Sequence, residues 1–308
     1  MPTVNALDHL DPAQQTSVRA ITDRVEATDG APPLNDQALS RLGEEEPGLV
    51  HLISVDNGQT TGYAQLDGTE VTAVGSPEAI DALLAAAEAM AMSARLLLWS
   101  HGQRSAVARI AEDRGYEKMR TLWQLRRSLS DVPDADPPPG VRIRTFVPGQ
   151  DEEAWLAVNA AAFATHPEQG RWTLRDLAAR ESEPWFDPAG FLLAERAGAV
   201  IGFHWTKLHP DGLGEVYVLG VDPGAQGIHL GPALLTAGLR YLAGRDAPEV
   251  LLYVEDDNQK ALALYERFGF HRYDRDVQYS LTLTGLADGR PSVSRRPGRT
   301  RSAALRRG

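Results

Sequence analysis

This chain can be laid on itself. Leu96-Leu97-Leu98-Trp99, a helix-patterned stretch and Gly115-Tyr116 return as Leu251-Leu252-Tyr253-Val254, another such stretch and Gly269-Phe270. Thr61-Gly62-Tyr63 likewise parallels Ile201-Gly202-Phe203, and Glu70-Val71 parallels Glu215-Val216. Offsets this long mean duplication of a whole domain rather than a short solenoid repeat. With 308 residues, each half is long enough to bury its own core. Asp131–Gly140 (DVPDADPPPG) is acidic, apolar-poor and proline-rich, which stops helix and central strand alike, so it reads as a semi-rigid linker. The expected organisation is residues 1–130, a linker over 131–140, a second domain over 141–284, and a tail over 285–308.

Local signals place the elements. Asp11-Pro12 starts a helix carrying Val18, Ile21 and Val25, closed by Gly30, and Asn35 or Asp36 caps a short second helix. Two strand patterns flank Asn57-Gly58, a strong hairpin signal. Glu70 to Val74 leads through Ser76-Pro77 into an alanine-rich helix over 78–92. A strand over 95–99, a helix near 104–114 and a strand over 121–129 complete the half. The second half repeats this order, with a hairpin about Ala197-Gly198. Its longest continuous signal is EVYVLGVDPGAQGIHLGPALL from Glu215 to Leu235: a strand, a break at Asp222-Pro223-Gly224, and an apolar helix. The alternation predicts an α/β (α+β) fold in each half, a mixed and mostly antiparallel sheet flanked by helices.

Composition excludes several classes. No apolar run is long enough to span a bilayer, and the N-terminus shows no secretory pattern. Cysteine is absent, which removes disulfides, thiolate metal sites and thiol nucleophiles, and suits a reducing cytoplasm. The net charge of −11 argues against nucleic-acid binding by the folded domains. The tail holds seven arginines against Asp288, without apolar period, and reads as a disordered solvated extension. We expect a monomer that handles a small-molecule substrate without metal or membrane.

Gly224, Gly227 and Gly231 stand at the joint between strand and helix, where backbone N–H groups and the positive end of a helix dipole suit a pyrophosphate. A plain strand–helix turn would also use glycine. No Gly-Lys-Ser/Thr follows, so this is not a nucleotide P-loop. Glu215, at the start of the strand, could take a proton from an amine, and Tyr265, on the last long helix, could give one to a leaving group. A solvated acid and a packed ring are the structural alternatives. The first half has no glycine-bearing insert between Gly75 and Pro77, and has Ala111 where the second has Tyr265. Chemistry is therefore expected in the second half.

The order strand–DPGAQGIHLGPALL–strand–EDDNQKALALYERFGF resembles the GNAT acetyltransferases, so that the chain reads as two tandem GNAT domains. The resemblance implies that Gln226, Gly227, Ile228, His229, Leu230, Gly231 and Pro232 hold the pyrophosphate of acetyl-CoA. It also implies that Leu219, Gly220 and Val221 pair with the pantetheine arm, and that Asn258, Phe270, His271, Arg272, Tyr273, Asp274 and Arg275 complete the cofactor site. Tyr265 matches the tyrosine that protonates the departing thiolate. His229 replaces a glycine of that loop. A required positive φ would strain it, whereas an imidazole pointing outward would cost nothing. The segments LWSHGQRSAVARIAEDRGYEKMRTLWQLRRSL, AFATHPEQGRWTLRDL and GFHWTKLHPDGLGEVYVLGVDP are similar to the mycothiol synthase family, over both domains and up to the tail. That family acetylates the cysteinyl amine of cysteinyl-glucosaminyl-inositol. On this resemblance Asp36, Glu168, Lys207, Glu215 and Tyr265 contact substrate. Transfer to another amine, or an acyl-CoA sensor that catalyses nothing, are the competing expectations.

Overall fold

A computed structural model describes residues 2–164, 169–284 and 292–293. In chain order the elements are β1 (Thr3–Leu7), α1 (Pro12–Asp29), α2 (Asp36–Ser40), β2 (Leu49–Asp56), β3 (Gln59–Asp67), β4 (Glu70–Gly75), α3 (Pro77–Met90), β5 (Arg95–Ser100), α4 (Ala106–Asp113) and β6 (Glu117–Ser128). Then follow β7 (Val141–Thr145), α5 (Glu152–Ala162), α6 (Leu174–Glu181), β8 (Phe191–Arg196), β9 (Ala199–Leu208), β10 (Gly214–Val221), α7 (Leu230–Ala243), β11 (Glu249–Glu255), α8 (Gln259–Arg267) and β12 (His271–Thr284). The chain divides into two compact units. Among the described residues one unit comprises 2–122, 275–284 and 292–293, and the other 123–274. No helix among these residues is long and apolar enough to cross a membrane.

In the first unit the sheet order is β1-β2-β3-β4-β5-β12, antiparallel except for the β4–β5 pair. Asp11 caps α1 in a capping box with Gln14, and Gly30 ends the helix in the left-handed region. The buried stripe of α1, Val18 and Ile21, packs with Leu34, Tyr63 and Val74. On α3, Ile80, Leu83, Leu84 and Ala87 close a larger core with Leu96, Leu98 and residues of β12, among them Val277 and Leu281. Asn57 and Gly58 both have positive φ, as a two-residue hairpin turn between right-twisted strands requires. The sequence gives no sign of β1: it is a short edge strand with mostly exposed side chains, so no alternation marks it.

The second unit runs β6-β11-β10-β9-β8-β7 and again holds one parallel pair, β10–β11. An aromatic cluster of Trp155, Phe191, Phe203 and Trp205 fills one face; the Phe191 and Trp205 rings stack 4.3 Å apart. The other core packs Leu235, Leu239 and Leu242 of α7 against Val250, Leu252, Tyr265 and Phe268. Each unit is thus a mixed, mostly antiparallel sheet flanked by helices. The proline-rich segment is tied to the second unit. Thr236 Oγ1 donates to Pro133 O at 2.9 Å, and Val132 and Ala135 pack on the second core.

Candidate active site

Two departures from regular pairing open the middle of the second sheet. β10 and β11 pair in parallel only at Gly214↔Val250 and Glu215↔Leu251. On the opposite edge the β9 register shifts between Val216 and Val218, a bulge that re-aims the strand. Beyond Glu215, β10 therefore runs to Val221 beside a gap, where an extended amide chain could add as a partial strand.

At the end of that gap stands the start of α7. Asp222 accepts from Gly224 N–H at 2.7 Å and fixes the Pro223–Ala225 turn. Gly227 follows with φ +84°, and His229 is the N-cap with φ 63°, so the loop takes two left-handed steps before the helix. The His229 side chain makes no capping hydrogen bond to the helix start. His229 is exposed, and its φ is in the left-handed region, so the residue carries backbone strain even with its side chain at the surface. The N–H groups of Leu230 and Gly231 have no acceptor within the helix, and the dipole favours an anion there. A Cβ built on Gly231 would meet Leu264 of α8 at 3.6 Å, which brings the loop beside the helix of Tyr265.

The joint in the first unit is different. Ser76 N–H donates to Thr61 O, Ser76 Oγ accepts from Ala79 N–H, and Ser76 O accepts from Ile80 N–H. Pro77 has no N–H to offer an anion. β4 pairs with β3 without a register shift. The two joints differ in their backbone hydrogen bonds, although β4 and β5, like β10 and β11, pair in parallel at only two positions.

Glu215 is buried at 8% exposure and lies opposite Lys207 in the β9–β10 register. Its Oε2 is 2.7 Å from Nε2 of His209. The Lys207 ammonium lies over the Trp185 ring at 5.1 Å and the Tyr217 ring at 5.9 Å. Burial raises the Tyr217 phenol above its ordinary range, and the charge of Glu215 adds to this. Tyr265 is buried on α8 with its ring edge-on to Phe270 at 5.6 Å, and burial pushes its phenol up to about 12. Its hydroxyl stays protonated at neutral pH and can only donate to a developing anion.

The remaining expected residues are spread more widely. Leu219, Gly220 and Val221 end β10, and Asn258 caps α8, accepting from Ala261 N–H at 3.2 Å. His271, Arg272 and Tyr273 are exposed at the start of β12; Arg272 stacks over Trp123 at 4.4 Å, and Arg126 over Tyr273 at 3.7 Å. Asp274 follows within the second unit, whereas Arg275 and Asp36, at the start of α2, belong to the first. Glu168 lies outside the described residues, as does the arginine tail apart from 292–293. Sequence reasoning missed His209, Trp185 and Tyr217. A signal existed for His209: Pro210-Asp211-Gly212 is a turn that folds it toward Glu215.

Residues 155–270 match the acetyltransferase (GNAT) family. The mycothiol acetyltransferase of Streptomyces coelicolor is 47% identical, over 90% of this chain and 94% of its own length. That of Thermomonospora curvata is also 47% identical, over 88% of this chain and 95% of its own. Among solved structures, a GCN5-related N-acetyltransferase from Sphaerobacter thermophilus superposes with a TM-score of 0.68 at 22% identity, covering 90% of this chain and 95% of that one. A tandem GNAT protein of the clavulanic acid biosynthesis pathway gives 0.67 at 18% identity, covering 91% and 98%. Those two likenesses concern the fold.

Proposed function

Because the chain belongs to the mycothiol acetyltransferase family of GNAT proteins, we propose that it moves the acetyl group of acetyl-CoA to the cysteinyl amine of cysteinyl-glucosaminyl-inositol. The product completes mycothiol. The observation that carries the reading is the continuity from Glu215, along the bulged and half-unpaired β10, to the start of α7 after the two left-handed steps at Gly227 and His229.

Acetyl-CoA supplies an activated thioester when bound. Gly227 to Gly231 would hold its pyrophosphate by backbone N–H groups, and Leu219 to Val221 its amide-bearing arm. Backbone N–H on the bulged strand polarises the carbonyl that is attacked. Glu215 takes the proton of the acceptor amine, whose lone pair is needed for attack. Lys207, braced by Trp185 and Tyr217, presents an ammonium beside Glu215 to a hydroxyl-rich acceptor. Tyr265 donates toward the departing sulfur. Glu168 would complete the substrate contacts, and Asn258 and residues 270–274 the cofactor contacts. Direct transfer within a ternary complex gains most of its rate from proximity. We further propose that a single chain is sufficient, in the cytoplasm and without a metal.

Mass spectrometry of the product decides the function. Acetyl-CoA and the cysteinyl pseudodisaccharide should give one N-acetylated product. Faster acetylation of unrelated amines would point to another acceptor, and acetyl-CoA binding without CoA release would leave a sensor.

A further inference from the structure

Glu215 has a fixed neighbour that the reaction outlined above does not use. His209 Nε2 lies 2.7 Å from Glu215 Oε2, with the carboxylate side chain 11% exposed and the imidazole 29% exposed. The local backbone dictates the contact. His209 N–H donates to Leu213 O and Gly212 N–H to His209 O, both at 2.9 Å, and Asp211 accepts from Leu213 N–H at 3.1 Å. This closed turn carries the end of β9 into the start of β10, so His209 and Glu215 sit diagonally across the hairpin, within side-chain reach. A carboxylate can only accept, so the proton of the contact is on Nε2. The other neighbour is Lys207, opposite Glu215 in register and able to draw the same carboxylate toward itself.

We propose that His209 is a positioning residue for acetyl transfer, holding Oε2 of Glu215 so that Oε1 is presented to the acceptor amine. The inference rests on Glu215 acting as the base. The proton leaving the amine nitrogen goes to Oε1 and from there to water, while Nε2–H remains on His209 throughout. A base held by one oxygen need not reorient at each turnover, which is where a positioned group raises kcat rather than binding.

The test uses the full chain with His209→Ala and His209→Gln, the latter keeping a side-chain N–H donor. His209→Ala should lower kcat roughly ten- to hundredfold and leave KM for acetyl-CoA within about twofold. His209→Gln should recover most of the rate, and added imidazole should restore part of it to His209→Ala. Wild-type kcat in His209→Ala overturns the proposal. So does a His209→Gln no faster than His209→Ala together with no response to imidazole. Glu215→Gln separates the two levels: normal turnover there removes the base and this inference with it. Slow turnover there beside a normal His209→Ala removes the positioning role alone.

Discussion

Replacing Tyr265 by phenylalanine isolates one hydroxyl. The ring stays edge-on to Phe270 within the core of α7, β11 and α8, and among the described residues the hydroxyl has no hydrogen-bond partner to lose. Stability should therefore change by no more than about 1 kcal/mol. The catalytic cost follows from acidity. The phenol is pushed up to about 12, against about 8.5 for an ordinary thiol. Complete transfer of the proton to a free thiolate is then uphill by about 3.5 pH units, or about 5 kcal/mol. In the proposed reaction Tyr265 would therefore act by a hydrogen bond to the sulfur as charge develops, worth about 1.5–3 kcal/mol for a charged acceptor. The expected loss in kcat for Tyr265→Phe is roughly ten- to hundredfold, less than for Glu215→Ala, which removes base and amine contact together. Product should be followed by mass spectrometry, because the acceptor carries a thiol that would react with thiol reagents. A loss beyond about a thousandfold would show full proton donation and refute the acidity argument. A loss below about threefold would remove Tyr265 from the reaction.

Gly231→Ala should fold normally, since its Cβ would meet only Leu264 at 3.6 Å, yet raise KM for acetyl-CoA because the proposed cradle needs close approach to the Gly231 backbone; an unchanged KM would place the pyrophosphate elsewhere. His229→Gly relieves about 1–2 kcal/mol of left-handed strain and forfeits about 0.5–1 kcal/mol of chain entropy. Urea melts should thus shift little, with turnover intact or CoA affinity improved, and a hundredfold fall in turnover would assign the imidazole a chemical task. His204 is fully buried, its Nδ1–H donating to Leu234 O at 2.8 Å, and burial pushes it down to about 4. The unfolded chain binds this proton near pH 6.5 and the folded one does not, so stability is intact above that pH and falls as pH drops toward 4. Urea titration should show about 2 kcal/mol lost between pH 7 and pH 5, and His204→Asn should remove that slope.

Signals confined to a few neighbouring residues were legible. Asn57-Gly58 and Ala197-Gly198 make the turns they announce, and the strand–loop–helix from Glu215 to Leu235 forms as its glycines and apolar periods require. His229 stood as two alternatives because sequence gives neither φ nor exposure. Side chains that meet through register were harder. The Trp185–Tyr217 wall around Lys207 joins a loop to two strands, and no spacing rule connects them. The first half lacks a glycine-bearing insert between Gly75 and Pro77, which the sequence shows directly. Ser76 satisfies the start of α3 with Pro77 beside it, a pairing that residue spacing alone does not reveal. There Ala111 is fully buried in the core, leaving no room for a counterpart of Tyr265, and Arg114 binds Glu88 and Asp81 to tie α4 to α3. In the first unit these positions serve packing.

Alternation in a strand says which side chains face the core, but not which edge the strand will join. That gap matters for the last strand of each repeat. Residues 123–128 of β6 belong to the second unit beside β11, and residues 275–284 of β12 belong to the first, paired with β5. A fragment cut by sequence order, 141–284, would therefore lose Leu125 and Leu129 from the second core, where they are 1% and 6% exposed. It would also lose the Leu129 N–H bond to Pro248 O and the contact of Arg127 with Phe268 O. Two buried leucines contribute about 1.5–3 kcal/mol each, against a total stability of about 5–15 kcal/mol. The same fragment would carry Val277, Tyr279 and Leu281 without the β5 side of their core. We expect 141–284 to lack a cooperative thermal transition, while 123–274, which keeps its own core, melts cooperatively. Equal melting temperatures for the two fragments would show that neither terminal strand holds its unit together.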